Sequence, residues 1–310
     1  MPTISLSSIF YLVPLYFLVI APLLRQLNPS QQQQQHQQQL SFLDDASYDD
    51  NADEDPIHTL NPDVLSLDDG TPISCPPDSE SYRIHLLSRT PLVIYVESFL
   101  SPSEADHLTN ISLPNYTPSI LYSSSTDKEI DTTKRLSDRA LLPRDNTVRC
   151  IEARAKAFQG WKPHLYIERM WAQRYNVSGH YTHHYDWAGT AKGRGGDRFS
   201  TFMVYLGDEC KGGGTHFPFL RRPRDRKWCE FIECEGTSGN EDGKGEGEGK
   251  GMVKDGVTFR PIKGNAVFWE NLKPDGSGWE ETWHAAEPVT EGEKVGLNIW
   301  SWYQPPRRRG

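Results

Sequence analysis

A chain of 310 residues with a formal net charge of -9 and a hydrophobic content of 36% has ample material for one core, and residues 81–304 alone exceed a typical domain. The acidic balance, without a basic stripe interleaved with aromatics, excludes a general nucleic-acid binder. Five cysteines (Cys75, Cys150, Cys210, Cys229, Cys234) allow one or two disulfides and an odd thiol, and their spacing makes neither a good zinc site nor a Cys-x-x-Cys motif.

In chain order, Ile4 to Leu24 holds no charged residue and is about as long as a bilayer-spanning helix, in which Pro14 and Pro22 are tolerable. It lacks a clear Ala-x-Ala cleavage site, so residues 1–25 read as an uncleaved single-pass anchor, with secretion after cleavage as the alternative. Residues 26–80 begin with the Gln31–Gln39 tract and continue through an Asp-rich stretch with no Lys or Arg from 41 to 70. Such composition buries too little apolar surface to offset its ordering entropy and predicts a disordered tether. Asn110-Ile111-Ser112, Asn115-Tyr116-Thr117 and Asn176-Val177-Ser178 are glycosylation acceptors if the chain enters the endoplasmic reticulum. With the anchor and the cysteines they favour a lumenal domain on the endoplasmic reticulum membrane.

Beyond residue 178, short aromatic and β-branched runs alternate with Gly and Pro turns. Gly179 to Trp187, Phe199 to Leu206, Val257 to Pro261, Gly264 to Trp269 and Gly292 to Trp302 each read as strands. The pattern predicts a β-sandwich or jelly roll, with ligands held between sheets. Among Cys210, Cys229 and Cys234, which flank one loop region, pairing is most expected. Gly236 to Gly251 alternates Gly with Glu and Lys and reads as a flexible insert, tolerated because closure entropy grows slowly with loop length. Residues 305–310 are a solvated basic tail.

The chemistry concentrates at His184-Tyr185-Asp186, His284 and Lys294. On a strand, residues i and i+2 share a face, so His184 and Asp186 can reach one metal while a helix would splay them roughly 200° apart. Two imidazoles and one carboxylate are the protein ligands of the facial triad that leaves open positions on non-haem Fe(II). His180 and His183 crowd the same segment and read as surface or supporting residues.

Together these motifs resemble the prolyl 4-hydroxylase family of Fe(II)/2-oxoglutarate dioxygenases over roughly residues 90 to 303. The matching positions are His184-Tyr185-Asp186, Arg198, the Gly212 to Pro218 turn, His284 and Gly292-Glu293-Lys294, while Pro91 to Ala105 resembles the family's strand-then-helix opening. The resemblance implies an α+β, mainly β, double-stranded β-helix (jelly roll) with supporting N-terminal helices. It implies Fe(II) on His184, Asp186 and His284, with 2-oxoglutarate, O2 and ascorbate as the other reactants. Lys294, Tyr175 and Thr215 would hold 2-oxoglutarate, and Tyr181, Arg198 and Trp300 would contact a proline-containing peptide. Charge bears on Lys294 independently. Fe(II), one aspartate and the cosubstrate dianion sum to one negative charge, which is costly in a dry barrel unless a cation cancels it. Val295, Gly214 and Trp302 depart from the family pattern at positions expected near the substrate. The expected function is peptidyl-proline 4-hydroxylation. A 2-oxoglutarate oxygenase of a free amino acid or small metabolite, and a non-catalytic jelly-roll binding module, are the alternatives.

Overall fold

The computed structural model describes residues 60–76, 81–122, 128–189, 196–234 and 256–304. The anchor of residues 1–25, the Gln tract, the 236–251 insert and the 305–310 tail lie outside the described residues. Among the described residues no helix is long and apolar enough to cross a membrane.

The chain opens with β1 (Arg83–Arg89), β2 (Leu92–Glu97), α1 (Pro102–Ser112), β3 (Thr117–Pro118), β4 (Leu121–Tyr122) and β5 (Lys128–Glu129). It continues through β6 (Arg135–Leu136), β7 (Asp138–Leu141), α2 (Asn146–Phe158), β8 (Leu165–Ile167), β9 (Trp171–Tyr175), β10 (His180–His184) and β11 (Asp197–Tyr205). It ends with β12 (Cys210–Gly212), β13 (Thr215–Phe217), β14 (Val257–Phe259), β15 (Ala266–Glu270), β16 (His284–Ala286), β17 (Val289–Gly292) and β18 (Lys294–Tyr303).

The larger sheet runs β1-β2-β15-β11-β18-β9-β7-β3, with β8 also on β18, and the smaller runs β14-β13-β16-β10-β6. The ladders of both sheets are antiparallel. This is the expected jelly roll, with helices packed on one side.

Strand alternation assigns the two faces of the larger sheet. Ile94, Val96, Phe202, Val204, Phe268, Val295, Leu297 and Ile299 pack outward against Leu108 of α1 and Val148, Ile151 and Ala155 of α2. α1 starts where its sequence says it should. Ser101 caps the Glu104 amide, Glu104 reaches back to the Ser101 amide, and Pro102 stands in the first turn. The opposite face contributes Val93, Tyr95, Met203, Tyr205, Val267 and Trp269 to a second core shared with Phe217, Val257 and Phe259 of the smaller sheet. The site lies along this inner layer.

One expectation changes, and the expected pairing within the Cys210, Cys229 and Cys234 group holds for Cys229 and Cys234. Residues 60–76 are not a tether but part of the domain. Leu60 and Leu65 are buried, the Ser66 amide donates to the Ile167 carbonyl at 2.8 Å, and Arg149 grips Asp69 through two donors at 2.8 and 2.6 Å. The acidic bias of the stretch hid these apolar anchors. The disulfides are Cys75–Cys150 and Cys229–Cys234. Cys210 is a free, half-buried thiol, because β12 pairs it with Gly292 rather than with the loop carrying the other two.

Candidate active site

His184 closes β10, His284 opens β16, and the two are direct cross-strand partners. Asp186 lies 3.7 Å from His184 Nε2 through Oδ1 and 3.8 Å from His284 Nε2 through Oδ2. One ligand atom from each of the three falls within 4.8 Å of the others.

The protons around this cluster are fixed by neighbours that have no choice of role. Each histidine Nδ1 faces a carbonyl two residues back, Thr182 for His184 and Thr282 for His284, both at 2.8 Å. A carbonyl only accepts, so Nδ1 carries a hydrogen, and in the neutral ring Nε2 is the nitrogen left with a lone pair for a metal. An indole only donates. Trp269 Nε1 donates to Asn271 Oδ1 at 2.8 Å, Asn271 Nδ2 to Thr201 Oγ1 at 2.9 Å, and Thr201 Oγ1 to Asp186 Oδ2 at 2.8 Å. The relay leaves Asp186 as an accepting carboxylate.

Burial opposes ionisation of Asp186, but the imidazoles, Arg198 and the Thr201 hydroxyl together hold its carboxyl below the ordinary value. Burial, and then the neighbouring His284, push the His184 imidazolium down to about 3, so the ring is neutral near pH 7. Two imidazoles and one carboxylate, all turned to one point, fit a divalent first-row metal of the facial-triad type.

Lys294 starts β18 opposite Tyr175 of β9. It is 1% exposed, and its Nζ has no hydrogen-bond partner among the described residues. Burial lowers its pKa to about 8. The ammonium lies 5.3 Å from the Tyr175 ring centre and 5.7 Å from that of Tyr205. The Tyr205 hydroxyl donates to Thr215 Oγ1 at 2.8 Å, and the Tyr175 hydroxyl donates to Gln173 Oε1 at 2.7 Å. An orphaned buried cation costs several kcal/mol in order of magnitude unless an anion joins it, so this corner fits a carboxylate. Gly213 makes room for the lysine. Its φ is +69°, and a Cβ there would stand 3.1 Å from Val289 Cγ2 and 3.2 Å from Lys294 Cδ.

The three expected substrate contacts also gather here. Tyr181 stacks on the His184 ring at 3.7 Å. Arg198 holds Glu168 through Nε and Nη2 at 2.7 and 2.9 Å, and its guanidinium lies 3.7 Å from the Trp300 ring centre. The Arg198 charge is therefore already paired, while the buried Trp300 Nε1 has no partner among the described residues. His180 and His183 stand apart from the cluster. His180 bonds the Ser178 and Thr133 carbonyls, and His183 meets His216 edge-on and lies parallel to Trp283.

Sequence reasoning missed Tyr205, Thr201, Asn271 and Glu168. Alternation along β11 was the available signal for the first two, because Thr201, Met203 and Tyr205 share one face with period two.

Comparison with known proteins agrees with this geometry. Residues 170–302 match the 2OG-Fe(II) oxygenase superfamily, a span that includes all three triad residues and Lys294. Over that span the chain is similar to the superfamily. The His184, Asp186 and His284 cluster lies within the matched span and fits the Fe(II) in that superfamily's description. It is 27% identical over 223 residues to probable prolyl 4-hydroxylase 7 of Arabidopsis thaliana, covering 70% of this chain and 65% of that one. With prolyl 4-hydroxylase 1 of the same plant it shares 26% over 234 residues, covering 72% and 75%. Against the viral collagen prolyl hydroxylase of Paramecium Bursaria Chlorella virus-1 the TM-score is 0.46 at 23% identity, covering 68% of this chain and 96% of that one.

The structure also locates the positions at which the chain departs from the prolyl 4-hydroxylase pattern it resembles. Val295 packs in the outward core beneath the helices, so it does not shape a substrate groove as the sequence suggested. A Cβ on Gly214 would stand 2.4 Å from Thr258 Cγ2, so an acidic residue is not accommodated there without a shift of the neighbouring strand. Trp302 donates from Nε1 to Gln304 Oε1 and lies opposite Arg198 in the ladder.

Proposed function

We propose that this oxygenase converts prolyl residues of peptides to 4-hydroxyproline, consuming 2-oxoglutarate and O2 and releasing succinate and CO2, with ascorbate maintaining the reduced metal. The observation that carries the reading is the buried, unpartnered Lys294 ammonium on the same inner layer as the triad. Such a cation has use only for an anion delivered beside the metal, which a 2-oxo diacid supplies.

In this reading His184, Asp186 and His284 hold Fe(II), and Lys294, Tyr175 and Thr215 receive the far carboxylate of 2-oxoglutarate. Tyr181, Trp300 and the Glu168-braced Arg198 orient the peptide. Bound iron, with its cosubstrates, supplies the oxidant that replaces a C–H bond by C–OH. The chain's own contribution is to fix the coordination geometry, neutralise the diacid and keep the pocket dry. A peptide substrate is favoured over a free amino acid because the relatives are prolyl 4-hydroxylases by name.

The test is mass spectrometry of a proline-rich peptide library incubated with enzyme, Fe(II), ascorbate and 2-oxoglutarate, with Asp186→Ala as control. Addition of one oxygen confined to proline supports the reading. Oxidation only of free amino acids, or no turnover alongside no iron binding, refutes it.

The same proposal places the domain in the endoplasmic reticulum lumen, tethered by residues 1–25. Its supports are the uncharged Ile4 to Leu24 stretch, the two disulfides and the exposure of Asn110, Asn115 and Asn176. Membrane extraction at alkaline pH, followed by glycosidase treatment, checks both features.

A further inference from the structure

The chain from Arg135 to Leu141 leaves the smaller sheet as β6 and joins the larger as β7. It thereby spans one edge of the inner layer. In the ladder, Arg139 pairs with Gln173, whose side chain accepts the Tyr175 hydroxyl, and Tyr175 faces Lys294 across the next strand. Arg139 therefore stands on the site's side of the sheet, roughly two residues or about 7 Å along the strands from the Tyr175–Lys294 pair.

Its side chain is half-buried and stacked, with the guanidinium 4.5 Å from the Trp171 ring centre. Its Nε is buried without a hydrogen-bond partner among the described residues. Nor does any described carboxylate pair with it, whereas Arg144, Arg149, Arg154, Arg174 and Arg198 all have one. Arg135 completes the edge. It lies 4.5 Å from the Tyr181 ring centre, and its Nε donates only to the Ser137 hydroxyl, at 3.1 Å.

Although the chain is acidic overall, no described carboxylate pairs with either guanidinium. The Trp171 indole covers one side of the Arg139 guanidinium. The in-plane N–H edge remains, and that edge matches a carboxylate in bidentate fashion. A half-buried cation without its anion is costly, and a carboxylate on the substrate would supply one.

We propose that the Arg139–Trp171 platform, with Arg135 beside it, is a specificity subsite for a carboxylate on the peptide, carried by an Asp or Glu within about two to four residues of the hydroxylated proline. The proposal rests on the prolyl-hydroxylase reading above. It adds that the preferred substrates are acidic near the target proline.

The experiment scans one Glu through a neutral proline-containing peptide and compares it with Gln and Lys scans, each amidated and with a free C-terminus. Wild type, Arg139→Gln and Arg139→Glu are assayed for kcat and KM with full cofactors. Binding of fluorescein-labelled peptides to the metal-free protein is followed by anisotropy. One Glu position should lower wild-type KM by about tenfold or more, with kcat nearly unchanged, the increment of a single good charge-assisted contact. Arg139→Gln should abolish that preference while retaining turnover of the neutral peptide, and Arg139→Glu should transfer it to the Lys peptide. The same order should appear in the anisotropy titrations and shrink at high salt. A preference that follows the free C-terminus alone assigns the subsite to a chain end and overturns the side-chain proposal. Turnover of neutral, Glu and Lys peptides with equal KM overturns the subsite and leaves proline hydroxylation standing. Failure of wild type to hydroxylate any proline peptide overturns both.

Discussion

Lys294 offers a direct physical test of the site without needing the substrate. Burial lowers its pKa from 10.5 to about 8, and at about 1.36 kcal/mol per tenfold in the proton equilibrium that gap amounts to roughly 3 kcal/mol. The sign follows from linkage. Below pH 8 the lysine is protonated in both native and unfolded chains, and the native state carries the whole cost of the buried ammonium. Between about 8 and 10.5 the unfolded chain binds more protons, so stability rises with pH as the native penalty disappears. Lys294→Met keeps the length of the side chain and removes the charge. In cosubstrate-free protein at pH 7 the variant should be more stable than wild type by about 1–3 kcal/mol, and the advantage should shrink steadily above pH 8 and be nearly gone only above pH 10.5. Adding 2-oxoglutarate reverses the comparison. At a concentration near 100 times its Kd, a ligand that binds only the native state contributes about 2.7 kcal/mol, which wild type should gain and the variant should not. Urea unfolding of both proteins across pH, with and without 2-oxoglutarate, reads all of these. A variant less stable at pH 7, or a wild-type-minus-variant difference flat from pH 7 to 10, would refute the reasoning.

Two further outcomes follow from the same geometry. Affinity for 2-oxoglutarate should fall as pH rises above about 8, because the free protein then loses the proton that the diacid needs, and binding there should take up protons. Calorimetry in two buffers of different ionisation enthalpy measures the uptake, and pH-independent affinity from 7 to 9.5 contradicts it. Thr201→Val removes the proton donated to Asp186 Oδ2 and strands Asn271. Iron affinity should drop by about 10- to 100-fold, the usual effect of losing a supporting hydrogen bond at a ligand, while circular dichroism stays unchanged. An unaltered iron titration would show that the relay does not orient the carboxylate.

Much of the site was legible because strand periodicity is strict. His184 and Asp186 fall two residues apart near a strand end, and Lys294 opens a strand whose odd residues, Val295, Leu297 and Ile299, all turn to the helices. What stayed hidden are the places where periodicity breaks. Tyr181 and His184 differ in parity, yet they stack, because the β10–β16 register shifts between them. Arg198 and Thr201 likewise differ in parity, and the shift between Arg198 and Ser200 brings both toward Asp186. No local signal marks either bulge. The relay through Asn271 and the brace from Glu168 join residues 70 and 30 positions apart, which only the completed sheets bring together. The Cys75–Cys150 bridge belongs with them, since it links a segment read as tether to α2.

The division of the site between the sheets makes one more demand on the cosubstrate. His184 and His284 belong to the smaller sheet and Lys294 to the larger, so the span from metal to ammonium is set by how two packed sheets stand, about 10 Å apart. Neither end can slide. The histidines are neighbours in one ladder and anchored through Nδ1, and Lys294 is confined by the rings of Tyr175 and Tyr205 and the backbone of Gly213. A 2-oxo diacid chelating the metal at one end must therefore place its other carboxylate at a fixed depth. Oxaloacetate, one methylene shorter, leaves the buried ammonium unpaired, and 2-oxoadipate, one longer, has to buckle against the tyrosines. One methylene is worth roughly 10- to 200-fold in such a pocket, and the shorter acid should suffer more because it also leaves a charge unsatisfied. Titration of the metal-loaded protein with the three diacids measures the ranking. Equal affinities would mean that the lysine does not meet the far carboxylate, and Lys294→Ala should then leave 2-oxoglutarate binding intact.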